Sequence, residues 1–125
     1  MPVTAEDVRR FAAPLPRTEV AIVRESLKFR VRSIVYLAIA PDEQTIGFAF
    51  PKAERAALVA SEPTKFHLPR ASDMRFNWVG ARLAALDRDE MRELVLDAWR
   101  MVVPKKVVAA YLAVDPIRRA AREGE

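Results

Sequence analysis

Cysteine is absent from this 125-residue sequence, and histidine occurs once, as His67. The lack of cysteine excludes a disulfide framework and thiolate metal sites. With a single histidine, the chain has no HExxH zinc motif. Because His67 alternates with Phe66 and Leu68 in a predicted strand, we expect it to be a structural residue rather than a catalytic one.

Glycine is also scarce, since Gly47, Gly80 and Gly124 each stand alone. Neither a Walker-type phosphate loop nor a GxGxxG dinucleotide fingerprint can therefore be written. The carboxylates fall in a turn at 42–43, in a loop at Asp73 and at a helix start from Asp87, and each position has a structural explanation. We expect a non-enzymatic protein with no catalytic residues, no cofactor and no metal site.

Long hydrophobic runs are missing as well. The longest, IVYLAIA at 34–40, is far shorter than the roughly 20 apolar residues that span a bilayer. The first twenty residues contain no continuous apolar region of the kind found in a signal peptide. We therefore expect a cytoplasmic protein with no membrane contact.

Positive charge is present in mild excess and is unevenly distributed. The net charge is +4, from 21 lysines and arginines against 17 acids. Segment 100–122 holds six basic residues and one acid, which gives it a local charge of +5. Such clustering, rather than the total, is what indicates an anionic partner.

The order of predicted elements favours an α+β fold. Thr4 and Asp7 form a capping-box pattern before a first helix, and strands are predicted at 18–23, 27–33, 34–40 and 45–50. A second helix follows Pro51, extended segments cover 64–68 and 75–83, and a third helix follows Asp87. Clustered strands predict an antiparallel β-sheet with helices packed on one face. We expect one domain over 1–115, a last helix ending at Asp115–Pro116, and a basic tail over 116–125.

One predicted strand carries a basic stripe. Lys28, Arg30 and Arg32 alternate with apolar residues, so they would project from one face about 7 Å apart. This arrangement could follow the phosphates of a nucleic acid. It is also typical of a solvent-exposed strand that avoids aggregation, and the pattern alone favours that second interpretation.

Aromatic residues lie among basic ones at 65–82, where Lys65, Arg70, Arg75 and Arg82 surround Phe76 and Trp78. Aromatic side chains between cations suit base stacking on single strands. However, Phe76 and Trp78 are two residues apart in an extended segment, and we expect both to face the core. We also expect Trp99, beside the apolar stripe of the third helix, to be buried.

The segment DAWRMVVPKKV at 97–107 leaves two alternatives open. If the third helix ends near Val103, Lys105 and Lys106 complement the negative end of its dipole. If a new helix begins at Pro104, its free N–H groups and the two lysines would form a phosphate site. Arg100 could be neutralised by Asp97, three residues earlier.

Several of these motifs together resemble the MmcQ/YjbR family. They are LP at 15–16, FRV at 29–31, WV at 78–79 and LDRDEMRELVLDAWRMVVPKKV at 86–107. The resemblance implies a small α+β domain with a CyaY/frataxin-like fold, of a type often labelled DNA-binding. Where many members have a Gly-Lys turn, this sequence has Arg32–Ser33–Ile34. It also lacks the acidic first helix that iron binding in frataxins would imply.

Two functions follow as expectations. The first is DNA binding of little sequence specificity through a basic surface. Its phosphate contacts would be Lys105, Lys106, Arg100, Lys28, Arg30 and Arg32. The alternative is a module that binds a small anionic molecule or a protein partner in a pocket near Trp78, His67 and Arg70.

Overall fold

We describe the fold from a computed structural model, which places the backbone of residues 2–123 and the side chains of residues 2–114. Four helices and six strands make up the chain. In order they are α1 (Ala5–Ala12), β1 (Glu19–Val23), β2 (Ser26–Val31), β3 (Ile34–Ile39), β4 (Thr45–Ala49), α2 (Lys52–Ser61), β5 (Phe66–His67), β6 (Trp78–Arg82), α3 (Arg88–Arg100) and α4 (Lys105–Glu123).

The strands form one antiparallel sheet in the order β1-β2-β3-β4-β6-β5. On one face, Phe29, Leu37, Phe48 and Val79 stand side by side across four strands, and all are fully buried. All four helices contribute side chains to the core on this face. This arrangement confirms the predicted α+β fold with an antiparallel sheet and helices on one face.

Helix α3 supplies the largest part of the helical layer. Met91, Val95 and Trp99 recur at helical spacing and are almost completely buried. Each such side chain contributes about 1.5–3 kcal/mol through burial. The Trp99 indole Nε1 donates a hydrogen bond to the Pro16 carbonyl (2.9 Å), and its ring packs edge-on against Tyr111. The expected core position of Trp99 is confirmed.

Side-chain caps begin two of the helices as the sequence predicts. The Asp7 N–H donates to Thr4 Oγ1 (3.2 Å), and the Thr4 N–H donates to the Asp7 carboxylate (3.0 Å). The second bond lowers the pKa of Asp7, because it stabilises the charged carboxylate. At the start of α3, Asp87 accepts a hydrogen bond from the Glu90 N–H (2.8 Å).

The chain breaks between α3 and α4 instead of bending. Helix α3 ends at Arg100, and α4 begins at Lys105 after the link 101–104. The Pro104 carbonyl accepts hydrogen bonds from the N–H groups of Val107 and Val108, which closes the first turn of the new helix. The expected helix end at Asp115–Pro116 is wrong for the backbone, which stays helical to Glu123. The side chains of the predicted basic tail, 116–125, lie outside the described residues, and the domain boundary at 115 stays a prediction.

Tight turns join the first three strands without glycine. Arg24 and Glu25 both have positive φ (51° and 69°), which closes a two-residue hairpin between β1 and β2. Arg32 has a φ of 58° in the turn between β2 and β3. A tight turn is therefore formed by Arg32 and Ser33 without glycine. Strand β2 ends at Val31, so Arg32 lies just beyond it.

None of the helices, as far as the structure describes them, is long and apolar enough to cross a membrane.

Candidate functional site

The second face of the sheet, which we call the open face, is lined by a row of residues across five strands. The register places Lys28, Ala38, Gly47, Gly80 and His67 side by side, from β2 to β5. The three central positions of the row are small, which leaves space for neighbouring side chains to lie flat on the sheet. The Lys28 side chain therefore lies at one end of the row, and the His67 imidazole lies at the other.

Two rings occupy that space. A Cβ at Gly47 would lie 2.5 Å from Trp78 Nε1, and a Cβ at Gly80 would lie 2.6 Å from His67 Nδ1. Any side chain larger than hydrogen at these two positions would displace the rings. The glycines are thus required by the close approach of Trp78 and His67 to the backbone.

A groove of about 580 Å³ lies beside Trp78. Its volume is within the range of roughly 300–1,000 Å³ that is typical of small-molecule sites. The sheet forms its floor, and two turns and the α3–α4 link form its walls. Its lining residues are Lys28, Ser33, Ile34, Val35, Ala49, Asp73, Phe76, Asn77, Trp78, Met101 and Val102.

Arg55 of α2 fixes the loop that carries the aromatic wall of this groove. It is only 7% exposed, and its guanidinium donates to the carbonyls of Met74 (2.5 Å) and Phe76 (2.8 Å). The Asn77 side chain accepts a hydrogen bond from the Lys52 N–H at the start of α2 (3.0 Å). Sequence analysis did not identify Arg55, because its partners are backbone atoms some twenty residues away.

The basic stripe of β2 is divided by the end of the strand. Lys28 and Arg30 share the open face, where Arg30 stands next to Glu19 of β1. Arg30 Nε is enclosed and has no hydrogen-bond partner within residues 2–114. Arg32 is exposed in the following turn. The three cations therefore follow β2 and the turn after it, although only two of them belong to the strand.

The second basic group adjoins the groove at its α3–α4 side. Arg100 directly precedes Met101, which lines the groove, and Lys105 and Lys106 follow Val102 after Val103 and Pro104. All three cations are exposed. The ion pair that Arg100 could form with Asp97 is not present within the described residues. The first turn of α4 begins at these lysines, as the second of the two alternatives required.

The three residues expected in a pocket have different environments. Trp78 lines the groove. His67 lies on Gly80 further along the open face, where its Nδ1 is 3.4 Å from the Leu68 carbonyl and its Nε2 has no partner within residues 2–114. Arg70 is 85% exposed and forms an ion pair with Asp73 at 3.5 Å. Arg70 therefore acts on the groove only through Asp73.

One of our expectations about residues 65–82 is wrong. Phe76 and Trp78 do not face the core: the register places Val79 opposite Phe48 in the core, so Trp78 points to the open face, and Phe76 is 50% exposed. Lys65 is not a free cation, because Glu62 (2.8 Å) and Glu90 (2.5 Å) both hold its ammonium group.

The engagement of Lys65 also changes its titration. Hydrogen bonds to Glu62 and then to Glu90 raise the pKa of Lys65 to about 12. Arg75 and Arg82 are partly engaged as well. Arg82 donates to the Thr64 carbonyl (2.9 Å), and Arg75 stacks on the Phe76 ring, 4.7 Å from its centroid. Region 65–82 thus contributes aromatic surface to the groove rather than free charge.

Within the described residues, no group of three or more histidine, aspartate or glutamate side chains is arranged to hold a metal ion.

Comparison with protein families shows that the YjbR family model matches residues 13–101. This range includes the whole sheet and α3, and it ends at Met101 on the rim of the groove. No protein with a curated description matches the chain.

Solved structures show the same fold. The crystal structure of the Deinococcus radiodurans protein DR2400, with a DUF419 domain, has a TM-score of 0.68 at 18% identity, over 78% of this chain and 76% of that one. A Pseudomonas syringae protein solved as a structural-genomics target has a TM-score of 0.64 at 12% identity, over 81% of this chain and 100% of that one. At these identities the likeness shows the fold alone.

Proposed function

Because this chain belongs to the YjbR family, with that family's sheet and an accessible basic face, we propose that it is a non-enzymatic domain that binds DNA with little sequence preference. The contact surface consists of six cations, of which Lys28 lines the groove and the others lie close in sequence to its lining residues. They are Lys28, Arg30, Arg32, Arg100, Lys105 and Lys106. A cytoplasmic location belongs to the same proposal, since the protein must share a compartment with DNA.

The observation that carries the proposal is the state of these six cations. None of them forms an ion pair within residues 2–114, whereas Arg9, Arg10, Arg88 and Arg92 elsewhere on the surface are paired with acids. An unpaired cation can release counterions from DNA without first breaking a contact within the protein. Of the six, Lys28 lines the groove, and Arg32 and Arg100 directly adjoin its lining residues Ser33 and Met101.

The groove adds aromatic surface to this charge. Trp78 and Phe76 line it beside Lys28, and both rings are at least partly accessible. Aromatic faces next to cations stack on unpaired bases, and each stacked base contributes about 1–3 kcal/mol. Cations on the rim would hold phosphates, while the rings would accept a base from a frayed or single-stranded segment. Such contacts read little sequence, because every base has a π-face.

Salt dependence tests the proposal. If about four phosphates are engaged, affinity for duplex DNA falls roughly a hundredfold between 50 and 200 mM salt. Fluorescence anisotropy with a labelled duplex and a labelled single strand of the same sequence measures this fall. Binding to neither oligonucleotide at 50 mM salt would refute the proposed function.

Charge reversal at the start of α4 tests whether DNA binds at the proposed surface. Lys105→Glu with Lys106→Glu should weaken DNA binding at least tenfold, because two phosphate contacts become repulsive. The matched control is Arg9→Glu with Arg10→Glu, which changes the net charge equally but lies on α1, where both arginines are paired with Glu6. Equal losses in the two double variants would show that only net charge matters.

The groove itself favours one other function, the binding of a small anionic molecule with an aromatic or apolar part. Trp78 and Phe76 would cover such a ligand, and the Lys28 ammonium would pair with its charge. A thermal-shift screen against anionic metabolites tests it, since a ligand at 100 times its Kd adds about 2.7 kcal/mol of stability. Trp99 is buried, so quenching of tryptophan emission by a hit would report on Trp78. A broad screen without a stabilising compound would count against this second function.

A further inference from the structure

The two edges of the sheet differ in what they expose. One edge is β5, which has only two residues and offers little for another strand to pair with. The other edge is β1, which has five residues, and Val20, Ile22 and Val23 are 41%, 76% and 43% exposed. Edge strands are usually protected by lysine, proline or a bulge, and β1 has none of these. The β1 edge is therefore open to pairing.

The register of the first hairpin shows which backbone groups of β1 are free. Val23 and Ser26 close a two-residue turn, so they form a hydrogen-bonded pair. Because such pairs alternate in an antiparallel ladder, Glu19, Ala21 and Val23 direct their N–H and C=O groups toward β2. The N–H and C=O groups of Val20 and Ile22 point away from the sheet. A partner strand would find four hydrogen-bonding groups in a row.

We propose that this edge pairs with β1 of a second copy of the chain, antiparallel and centred on Ala21. In this register Val20 of each copy stands opposite Ile22 of the other copy. Each of these two pairs forms two hydrogen bonds, so four hydrogen bonds satisfy the free N–H and C=O groups of both strands. The Val20 and Ile22 side chains of both copies meet on the core side of the sheet. The pairing thus covers the most exposed large apolar side chain among the described residues, Ile22 at 76%.

Charge at the ends of the strand fits a second copy better than an unrelated strand. The same register brings Arg17 of one copy to Glu25 of the other, and it brings Glu19 next to Arg24. Each end of the seam therefore carries two positive and two negative groups. None of these four residues forms an ion pair within residues 2–114 of its own chain. Because the antiparallel pairing is symmetric, the same arrangement of opposite charges occurs at both ends of the seam.

The pairing joins two six-stranded sheets into one and places both open faces on the same side. Lys28 pairs with Ala21 in each copy, so the two lysines stand in one row across the seam. With strands about 4.8 Å apart, three spacings separate them by roughly 14 Å. The dimer does not depend on the proposed DNA binding, but it would double the basic surface for it.

Cysteine cross-linking tests the register, and the chain contains no cysteine that could interfere. In a non-hydrogen-bonded pair the two Cα atoms are about 4.5 Å apart, so Ala21→Cys should form an intermolecular disulfide. The matched control is Val23→Cys, which is also on the open face and exposed. Its two copies would be about 13 Å apart, beyond the reach of a disulfide. Mild oxidation of both variants, followed by a non-reducing gel, gives the comparison.

Sedimentation velocity without DNA supplies an independent measurement. Ile22→Lys should raise the dimer dissociation constant at least about tenfold, since each substitution is present twice. The control Ile34→Lys changes a residue that is 55% exposed at the start of β3, which does not pair with β1, and it should leave the dimer intact. Arg17→Glu should weaken the dimer, and Arg17→Glu combined with Glu25→Arg should restore it.

A disulfide through Ala21→Cys but not through Val23→Cys, together with dimer loss in Ile22→Lys, would support the proposal. Equal cross-linking of the two cysteine variants, as in random collision, would overturn it. A chain that stays monomeric at every concentration, with its β1 edge taken by a different protein or left unused, would also overturn it.

Discussion

Replacing Arg55 should destabilise the fold and loosen the groove together. Arg55 is 7% exposed and bridges α2 to residues 74–78, the loop that forms the aromatic wall of the groove. Arg55→Met keeps most of the buried aliphatic stem and removes the guanidinium. The carbonyls of Met74 and Phe76 then lose their donors, while the cost of burying a charge is also removed.

The size of the effect follows from two short hydrogen bonds. Each bond to a charged group contributes about 1.5–3 kcal/mol, so the pair contributes about 3–6 kcal/mol. Water can reach part of this loop, since Phe76 is 50% exposed, and relief of the buried charge offsets a further part. We expect a net loss of about 2–4 kcal/mol. For a chain of this length, 3 kcal/mol corresponds to a fall in Tm of about 11 °C.

Urea unfolding followed by circular dichroism measures the loss, and Arg55→Lys is the matched control. Lysine keeps the positive charge, but its ammonium group cannot reach both carbonyls that the forked guanidinium reaches together. The stability of Arg55→Lys should therefore lie between that of the wild-type chain and that of Arg55→Met. Trp78 emission reports on the groove, since Trp99 is buried. A loss under 1 kcal/mol for Arg55→Met, or equal stability of the two variants, would refute this account of Arg55.

Two further predictions concern the sheet. Gly47→Ala should displace the Trp78 ring, shift its emission and cost about 1–3 kcal/mol by overpacking, and an unchanged emission spectrum would contradict the close approach. Stability should also fall as pH rises from about 10 to 12, because burial raises the pKa of Tyr36 from 10.0 to about 12 and carboxylate partners raise the pKa of Lys65 from 10.5 to about 12. In this pH range the folded state still holds protons that the unfolded chain has released. The raised pKa of Tyr36 alone accounts for a loss of roughly 2–3 kcal/mol in the free energy of unfolding. In alkaline unfolding curves, Tyr36→Phe and Lys65→Met should each remove part of this loss.

Local patterns in the sequence were sufficient for most of the fold. The Thr4–Asp7 cap, the start of α3 at Asp87 and the burial of Trp99 depend on residues close in sequence or on one helical stripe. The family resemblance carried by 86–107 also agrees with the match over residues 13–101. Strand ends were less well predicted, since a turn residue such as Arg32 has the same alternation as the strand before it.

A pocket near Trp78 was expected from the sequence, but the walls of the groove could not be predicted, because they depend on pairings across the sheet. Trp78 points to the open face only because Val79 stands opposite Phe48, and its ring fits only because Gly47 is its neighbour on β4. The contacts of Arg55 and the Lys65–Glu90 ion pair were missed for the same reason, since these partners are distant in sequence. The six unpaired cations were named from the sequence, but their relation to one groove required the structure.

Lys28 gives the most direct test of the central claim, because it belongs to both the open face and the groove. The measurement is the slope of log affinity against log salt for a labelled duplex, for the wild-type chain, Lys28→Gln and the control Arg10→Gln. The proposed surface predicts weaker binding and a slope about 0.9 less steep for Lys28→Gln, with Arg10→Gln unchanged. An unchanged slope for Lys28→Gln, or an equal change in both variants, would contradict the proposed DNA surface.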